Sequence, residues 1–207
     1  MELKLRKLGL QDYHKTWASM QNVILSKGQG DSDELWLLEH FPVYTLGFGA
    51  SENNLLIKND IPVIRSDRGG EVTYHGPGQL VCYPILNLHN YQLSISWYMR
   101  NLENVIIQCL KDHGIEADQK HGLTGVWVRD EKICAMGVRL SRWVTMHGFA
   151  LNLNPDMEYY DGMIPCGIFH YGITTLNQQG INVTIETLLD FVISSFDSLF
   201  DGEIDEV

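Results

Sequence analysis

Apolar positions along the chain repeat with two periods, and together they predict alternating helices and strands. Over His14 to Lys27, Trp17, Met20 and Ile24 recur at helical spacing, and Gly28 supplies a stop. A second helix is expected from about Ser96 to His113. There Tyr98, Leu102, Val105, Ile106, Cys109 and Leu110 share one face, and Gly114 ends the run. A third spans about Ile185 to Leu199, with Leu188, Leu189, Val192 and Phe196 on its apolar side. Short apolar runs between breakers predict strands: Glu34 to His40, Ile61 to Ile64, Leu80 to Leu88 and Trp143 to Leu153. Val126 to Val128 and Ile133 to Leu140 form a hairpin pattern joined by Arg129-Asp130-Glu131-Lys132, which puts Lys132 in a turn. Asn53 to Asp60 is a loop or short helix, Asn154 to Thr174 is irregular, and the acidic Asp201 to Val207 is a frayed tail. The fold class is mixed α/β, with mixed sheets flanked by helices. No repeat or linker breaks it, so residues 1–207 are expected to form a single domain.

Composition narrows the function classes. The chain has 26 acidic and 15 basic residues, a formal net charge of −11. Nucleic-acid binders usually carry a basic face, so no nucleic-acid partner is expected. No apolar run is long enough to span a bilayer, so no membrane partner is expected either. The charged start, Met1 to Lys7, lacks the apolar core of a signal peptide, which points to the cytoplasm. Cys82, Cys109, Cys134 and Cys166 follow no paired zinc spacing, and reduced thiols are expected. The first three sit in apolar surroundings, as buried structural cysteines do. Cys166 differs, since Ile164-Pro165-Cys166-Gly167 is turn-like. His40, His147 and His170 are not spaced as helical ligands, and no metal is expected.

The stretch from Arg68 to Leu80 carries four glycines and one proline among polar side chains. Glycine lets a backbone turn at positive φ and approach a ligand closely. Two readings remain open on these residues alone: a β-hairpin with a glycine-rich turn, or a ligand-binding loop on a strand scaffold. Glu71 and Thr73 could be the outward face of a strand, and Tyr74 and His75 ordinary core residues. In a turn, Lys132 would by default be solvated.

Four blocks in order change that balance. Leu38-Glu39-His40-Phe41-Pro42-Val43-Tyr44-Thr45-Leu46-Gly47, Arg68 to Leu80, Lys132 to Asn152 and Ile164-Pro165-Cys166-Gly167 together resemble the lipoyl(octanoyl) transferases. The resemblance implies a single α/β domain like that of the biotin and lipoate protein ligases. It implies transfer of the octanoyl group from octanoyl-acyl carrier protein to a lysine of lipoyl domains, in 2-oxoacid dehydrogenase subunits and the glycine-cleavage H protein. This is the first step of endogenous lipoate biosynthesis. The family's acyl-thioester cysteine falls on Cys166 and its accompanying lysine on Lys132. Its acyl-binding segments fall on Arg68, Gly69, Gly70, Glu71, Val72, Thr73, Tyr74 and His75, on Ala135, Met136 and Gly137, and on Gly148, Phe149 and Ala150.

The chemistry fits those residue types. A thioester donor is already activated, so no cofactor is expected. Only a thiolate attacks, and an ordinary cysteine titrates near pH 8.5. An ammonium at Lys132 would favour the Cys166 thiolate. Once neutral, the same lysine could take a proton from the acceptor amine. Oxyanion donors are expected either at Gly69-Gly70 or at Cys166-Gly167. The small or β-branched residues Val72, Ala135, Gly137, Gly148 and Ala150 can line a narrow slot without filling it. Gly148→Leu is accordingly expected to cut octanoyl transfer more than transfer of shorter acyl groups. An acidic carrier protein would need a local basic patch, for which Arg65, Arg68, Arg139 and Arg142 are candidates; internal ion pairing is the other reading of these arginines. Three alternatives stay open: an ATP-dependent lipoate or biotin ligase, a lipoyl/octanoyl amidotransferase, and a non-catalytic acyl-carrier-binding module.

Overall fold

The computed structural model describes residues 2–28, 30–56, 60–163, 171–200 and 203–206. Within them three helices pack on a large mixed sheet. Helix α1 covers Tyr13–Ser26, and the Asp12 side chain accepts from the Lys15 amide at its start, so one orphan N–H is satisfied. Helix α2 covers Ile95–Asp112 with Ser94 as its cap, and helix α3 covers Ile185–Phe200. The periodicity marks all three cores: Met20 and Ile24 on α1, Leu102, Val105 and Ile106 on α2, and Leu188, Val192 and Phe196 on α3 are buried.

The strands are β1 (Glu2–Gln11), β2 (Asp33–His40), β3 (Val43–Leu46), β4 (Val63–Arg65), β5 (Val72–His75) and β6 (Gln79–Ile85). They continue with β7 (Asp118–Lys120), β8 (Leu123–Val128), β9 (Glu131–Ser141), β10 (Val144–Asn152), β11 (Gly172–Ile173) and β12 (Glu203–Glu206). The large sheet runs β12-β1-β2-β6-β10-β9-β8-β7, with β11 added in parallel to β9. A second sheet runs β4-β3-β5. One face of the large sheet, with Leu80, Cys82, Phe149, Leu151, Cys134 and Met136, packs under α2 and α3. The other face, with Val81, Tyr83 and Ala150, packs partly under α1.

Three expectations need correction. Arg68 to Leu80 is no hairpin: β5 pairs with β3 in the small sheet, whereas β6 pairs with β2 and β10 in the large one. The segment is the crossing between two sheets, and Gly78 turns it at φ +85°. An added Cβ there would lie 2.4 Å from the Asn154 carbonyl oxygen. The acidic tail is no fray over residues 203–206, because β12 pairs in parallel with β1. Lys132 lies within β9, beyond the Arg129-Asp130 turn. Buried Cys82, Cys109 and Cys134 match the structural reading of those three thiols.

Candidate active site

Small residues paired across two strands open a trough in the sheet. Ala150 lies directly opposite Ala135, and Gly148 opposite Gly137. Side chains alternate faces along a strand, so all four belong to one face while Phe149 and Met136 occupy the other. A cavity of about 210 Å³ lies over these pairs. Val72, Thr73 and His75 of β5 form its opposite wall. The loop from Arg68 to Glu71 closes one end, where the Gly69 amide donates to the Val138 carbonyl at 2.9 Å. That contact requires glycine at 137, since a Cβ there would sit 2.6 Å from the Gly69 oxygen. Lys132, Leu123, Thr124 and Ile173 line the other end.

Gly148 turns out to be a different kind of slot residue. Its Cβ would point at the neighbouring backbone, 2.2 Å from the Cys82 oxygen, so it serves close strand approach. The expectation that Gly148→Leu shortens chain preference therefore fails: the added side chain meets β6 before it meets an acyl group.

A β-bulge aims Lys132. Val126 and Trp127 are consecutive on β8, yet they oppose Cys134 and Lys132, leaving Ile133 as an extra residue on β9. By simple alternation Lys132 would share the helix-facing side with Cys134 and Met136. The inserted residue reverses that phase. Lys132 instead reaches the cavity with Ala135 and Gly137, only 8% exposed. Its ammonium lies 4.7 Å from the centroid of the Trp127 ring.

Cys166 lies outside the described residues, as does His170. On either side of that segment in the chain, Met163 and Ile173 both line the cavity.

Arg68 is a scaffold. It is buried; Nε donates to Thr45 Oγ1, Nη1 to the Gly69 carbonyl, and Nη2 to the carbonyls of Thr45 and Glu71. This pins the loop in its tight path, which also brings the Gly70 carbonyl against Gly47. Arg68 thus leaves the list of surface docking residues. Arg139 pairs with Asp67, Arg65 with Glu52, and Arg142 donates to the Ile24 carbonyl.

A polar aromatic layer underlies the cavity. His40 donates from Nδ1 to the Gln11 carbonyl and accepts from Tyr83 at Nε2. Burial pulls its pKa down to about 4, against a raising effect of the Gln11 hydrogen bond. His75 donates to Gln79 Oε1 and stacks on Tyr13, and burial, then the neighbouring His40 and the Arg68 guanidinium, also keep it neutral. Gln79 in turn binds Asn152 and Tyr160. His147, in the left-handed region at φ +59°, donates Nε2–H to Asp67 at 2.8 Å. Burial lowers the His147 pKa despite that partner. Asp67 stays below the usual carboxylate range: burial opposes this, and His147 and Arg139 outweigh it.

Of the expected binding residues, Arg68, Gly70, Glu71, Val72, Thr73, His75, Ala135, Met136, Gly137, Gly148, Phe149 and Ala150 gather on this cavity with Lys132. Two do not. The Gly69 amide is taken by Val138, which removes it as an oxyanion donor, and Tyr74 packs among Tyr44, Tyr159 and Tyr160 beneath the small sheet. Sequence reasoning missed Tyr13, Tyr83, His147 and Asn152, which also line it. Their signal was weak, since polar residues inside apolar strands, and Tyr13 at the start of α1, read as ordinary core positions.

A family model described as the lipoyl protein ligase A/B catalytic domain matches residues 12–197. An octanoyltransferase of Gloeobacter violaceus is 43% identical over 195 residues, covering 93% of this chain and 87% of that protein. An octanoyltransferase of a Nostoc species is 46% identical over 175 residues, covering 83% and 79%. Among solved structures, a bi-partite lipoate protein ligase from Thermoplasma acidophilum superposes with a TM-score of 0.81 at 16% identity, covering 100% of this chain and 88% of that one. Biotin protein ligase from Aquifex aeolicus gives 0.57 at 14% identity, covering 97% and 70%. At such identities these two structures speak to the fold.

Proposed function

This chain belongs to the lipoyl protein ligase A/B catalytic-domain family, and from that premise we propose how its residues carry out octanoyl transfer. Its curated relatives make it an acyltransferase of lipoate biosynthesis. Octanoyl-acyl carrier protein is the donor in our reading, and a lysine of a lipoyl domain or of the glycine-cleavage H protein is the acceptor. We read residues 1–207 as one catalytic domain, working in the cytoplasm. The family match over most of the chain supports the first of these.

Cys166 is the nucleophile. Its thiolate attacks the donor carbonyl, the carrier's C–S bond breaks, and the carrier thiolate leaves. The acceptor amine then attacks the acyl-cysteine, a C–N bond forms, and the Cys166 thiolate departs. Lys132 as an ammonium favours the thiolate, and as an amine it receives the proton released by the acceptor. The acyl chain lies along the trough of Ala135, Ala150 and Gly137 against Val72. The observation that carries this reading is Lys132 itself. A lysine on a half-buried strand would ordinarily face water, yet the bulge turns this one into the end of an apolar slot.

The test is incubation with octanoyl-acyl carrier protein, without ATP, followed by intact-mass measurement and peptide mapping. We expect one octanoyl adduct on Cys166, absent from Cys166→Ala and sharply slowed in Lys132→Met. An adduct retained on Cys166→Ala, or transfer that requires ATP, overturns the scheme.

A further inference from the structure

We propose that Trp127 is the positioning residue for Lys132, holding the ammonium against its indole face at the end of the acyl trough. The inference rests on the reading of Lys132 as a catalytic residue.

Trp127 and Lys132 are cross-strand partners flanking the bulge. The bulge turns the lysine toward the cavity, but a four-carbon stem has many rotamers, and aim alone does not fix the nitrogen. The indole gives it a fixed surface to rest against. The Lys132 nitrogen lies 4.7 Å from the ring centroid, where the negative π face attracts a cation. The ring is 2% exposed, so that attraction is little screened by water. Tyr171 contacts the indole at 5.1 Å, edge to face, and the Lys120 nitrogen lies 5.5 Å from the indole centroid. These neighbours leave the ring little freedom to tilt.

Two further features show that the region is built around the lysine. Gly125 sits at φ +120°, and a Cβ there would come 3.3 Å from Lys132 Cε and 2.6 Å from the Cys134 oxygen. Its amide donates to Glu103, a carboxylate 2% exposed within the apolar face of α2. The strand opposite the lysine is therefore anchored from the helix side and stripped of side chain where the stem passes. Trp127 Nε1, by contrast, is buried with no hydrogen-bond partner among the described residues. A buried donor left unpaired is a cost that phenylalanine would avoid. Tryptophan at this position is explained by its face, the strongest cation-binding surface among the aromatic side chains.

The experiment compares Trp127→Leu, Trp127→Phe and Lys132→Met with the parent enzyme. It reads kcat and KM for octanoyl-acyl carrier protein, the alkylation rate of Cys166 by iodoacetamide, and thermal unfolding. We expect Trp127→Leu to lower kcat by about tenfold to a hundredfold, the cost of an ångström-scale misplacement, with KM unchanged. Alkylation should slow with it, and Trp127→Phe should recover much of both. A Trp127→Leu enzyme with parental kcat or parental alkylation overturns the proposal, provided Lys132→Met is impaired. If Lys132→Met is itself fully active, the catalytic reading fails instead. Should Trp127→Leu not fold, fluorotryptophans placed at 127 weaken the π face without changing its shape. Activity that falls with each added fluorine supports the proposal, and a flat series refutes it.

Discussion

Ala135→Leu should convert this enzyme into one that favours short acyl groups. Ala135 and Ala150 are the pair in the trough whose side chains face the cavity, and Ala135 is partly open to it. The other pair is closed off by backbone, from Gly69 against Gly137 and from Cys82 against Gly148. Leucine at 135 adds three carbons, and they occupy space that about three methylenes of the bound chain would fill. At about 0.8 kcal/mol per methylene, the octanoyl group loses about 2.4 kcal/mol of burial. That corresponds to a fall in kcat/KM of about 60-fold. A butanoyl group, which does not reach so far along the trough, should lose little. The assay measures kcat/KM with carrier-protein donors of four, six, eight and ten carbons, alongside thermal unfolding to show that the sheet is intact. Equal losses at every chain length, or unimpaired octanoyl transfer in a folded variant, would falsify the assignment of the trough.

Gly148→Ala should behave quite differently: a Cβ 2.2 Å from the Cys82 oxygen forces strands β6 and β10 apart, costing about 3 kcal/mol in urea unfolding, with activity lost alike for every donor. Arg68→Met should also cost about 3 kcal/mol or more, because several carbonyls lose a charged donor; a folded variant whose only change is a salt-sensitive KM would return Arg68 to the docking surface. Acid should destabilise the fold well above the carboxylate range. His40, His75 and His147 are all held below their ordinary pKa, so below about pH 6.5 the unfolded chain binds protons that the folded one refuses. For His40 the loss runs from about pH 6.5 to about 4 and reaches about 3 kcal/mol. Urea midpoints across that range should show a flatter slope in His40→Asn, and an unchanged slope would contradict the buried, neutral assignment.

The helices were legible because each buries one stripe at a 3.6-residue period, and nothing in the tertiary structure competes with that. The small residues of the slot were legible too, since the pairing of two neighbouring strands brings Ala135 to Ala150 without long-range help. What escaped the sequence is what depends on partners distant in the chain. Arg68 to Leu80 has the composition of a hairpin, and only the choice of β3 and β2 as separate partners makes it a crossing. Residues 203–206 look solvated until β1 offers them an open edge. Lys132 was misplaced because the turn is two residues long, Arg129-Asp130, and not four. The bulge at Ile133 then sets which face the lysine takes, and no local propensity announces it. Arg68 read as surface chemistry because its acceptor Thr45 lies 23 residues away, and His147 passed for an ordinary core residue because its partner Asp67 lies 80 residues away.

The two pairs of small residues amount to a measuring scale with one movable mark. The Gly137–Gly148 rung is locked, because backbone stands where side chains would go on both of its members. At the Ala135–Ala150 rung the side chains themselves meet the cavity, and Ala135 is partly open to it while Ala150 is packed in the core. Descendants of this sequence could therefore change the length of fatty acid they carry by drift at Ala135. The closed end, with its arginine-pinned loop, would be inherited unaltered. Diversification of acyl preference should accumulate at one rung of the sheet and leave the other silent.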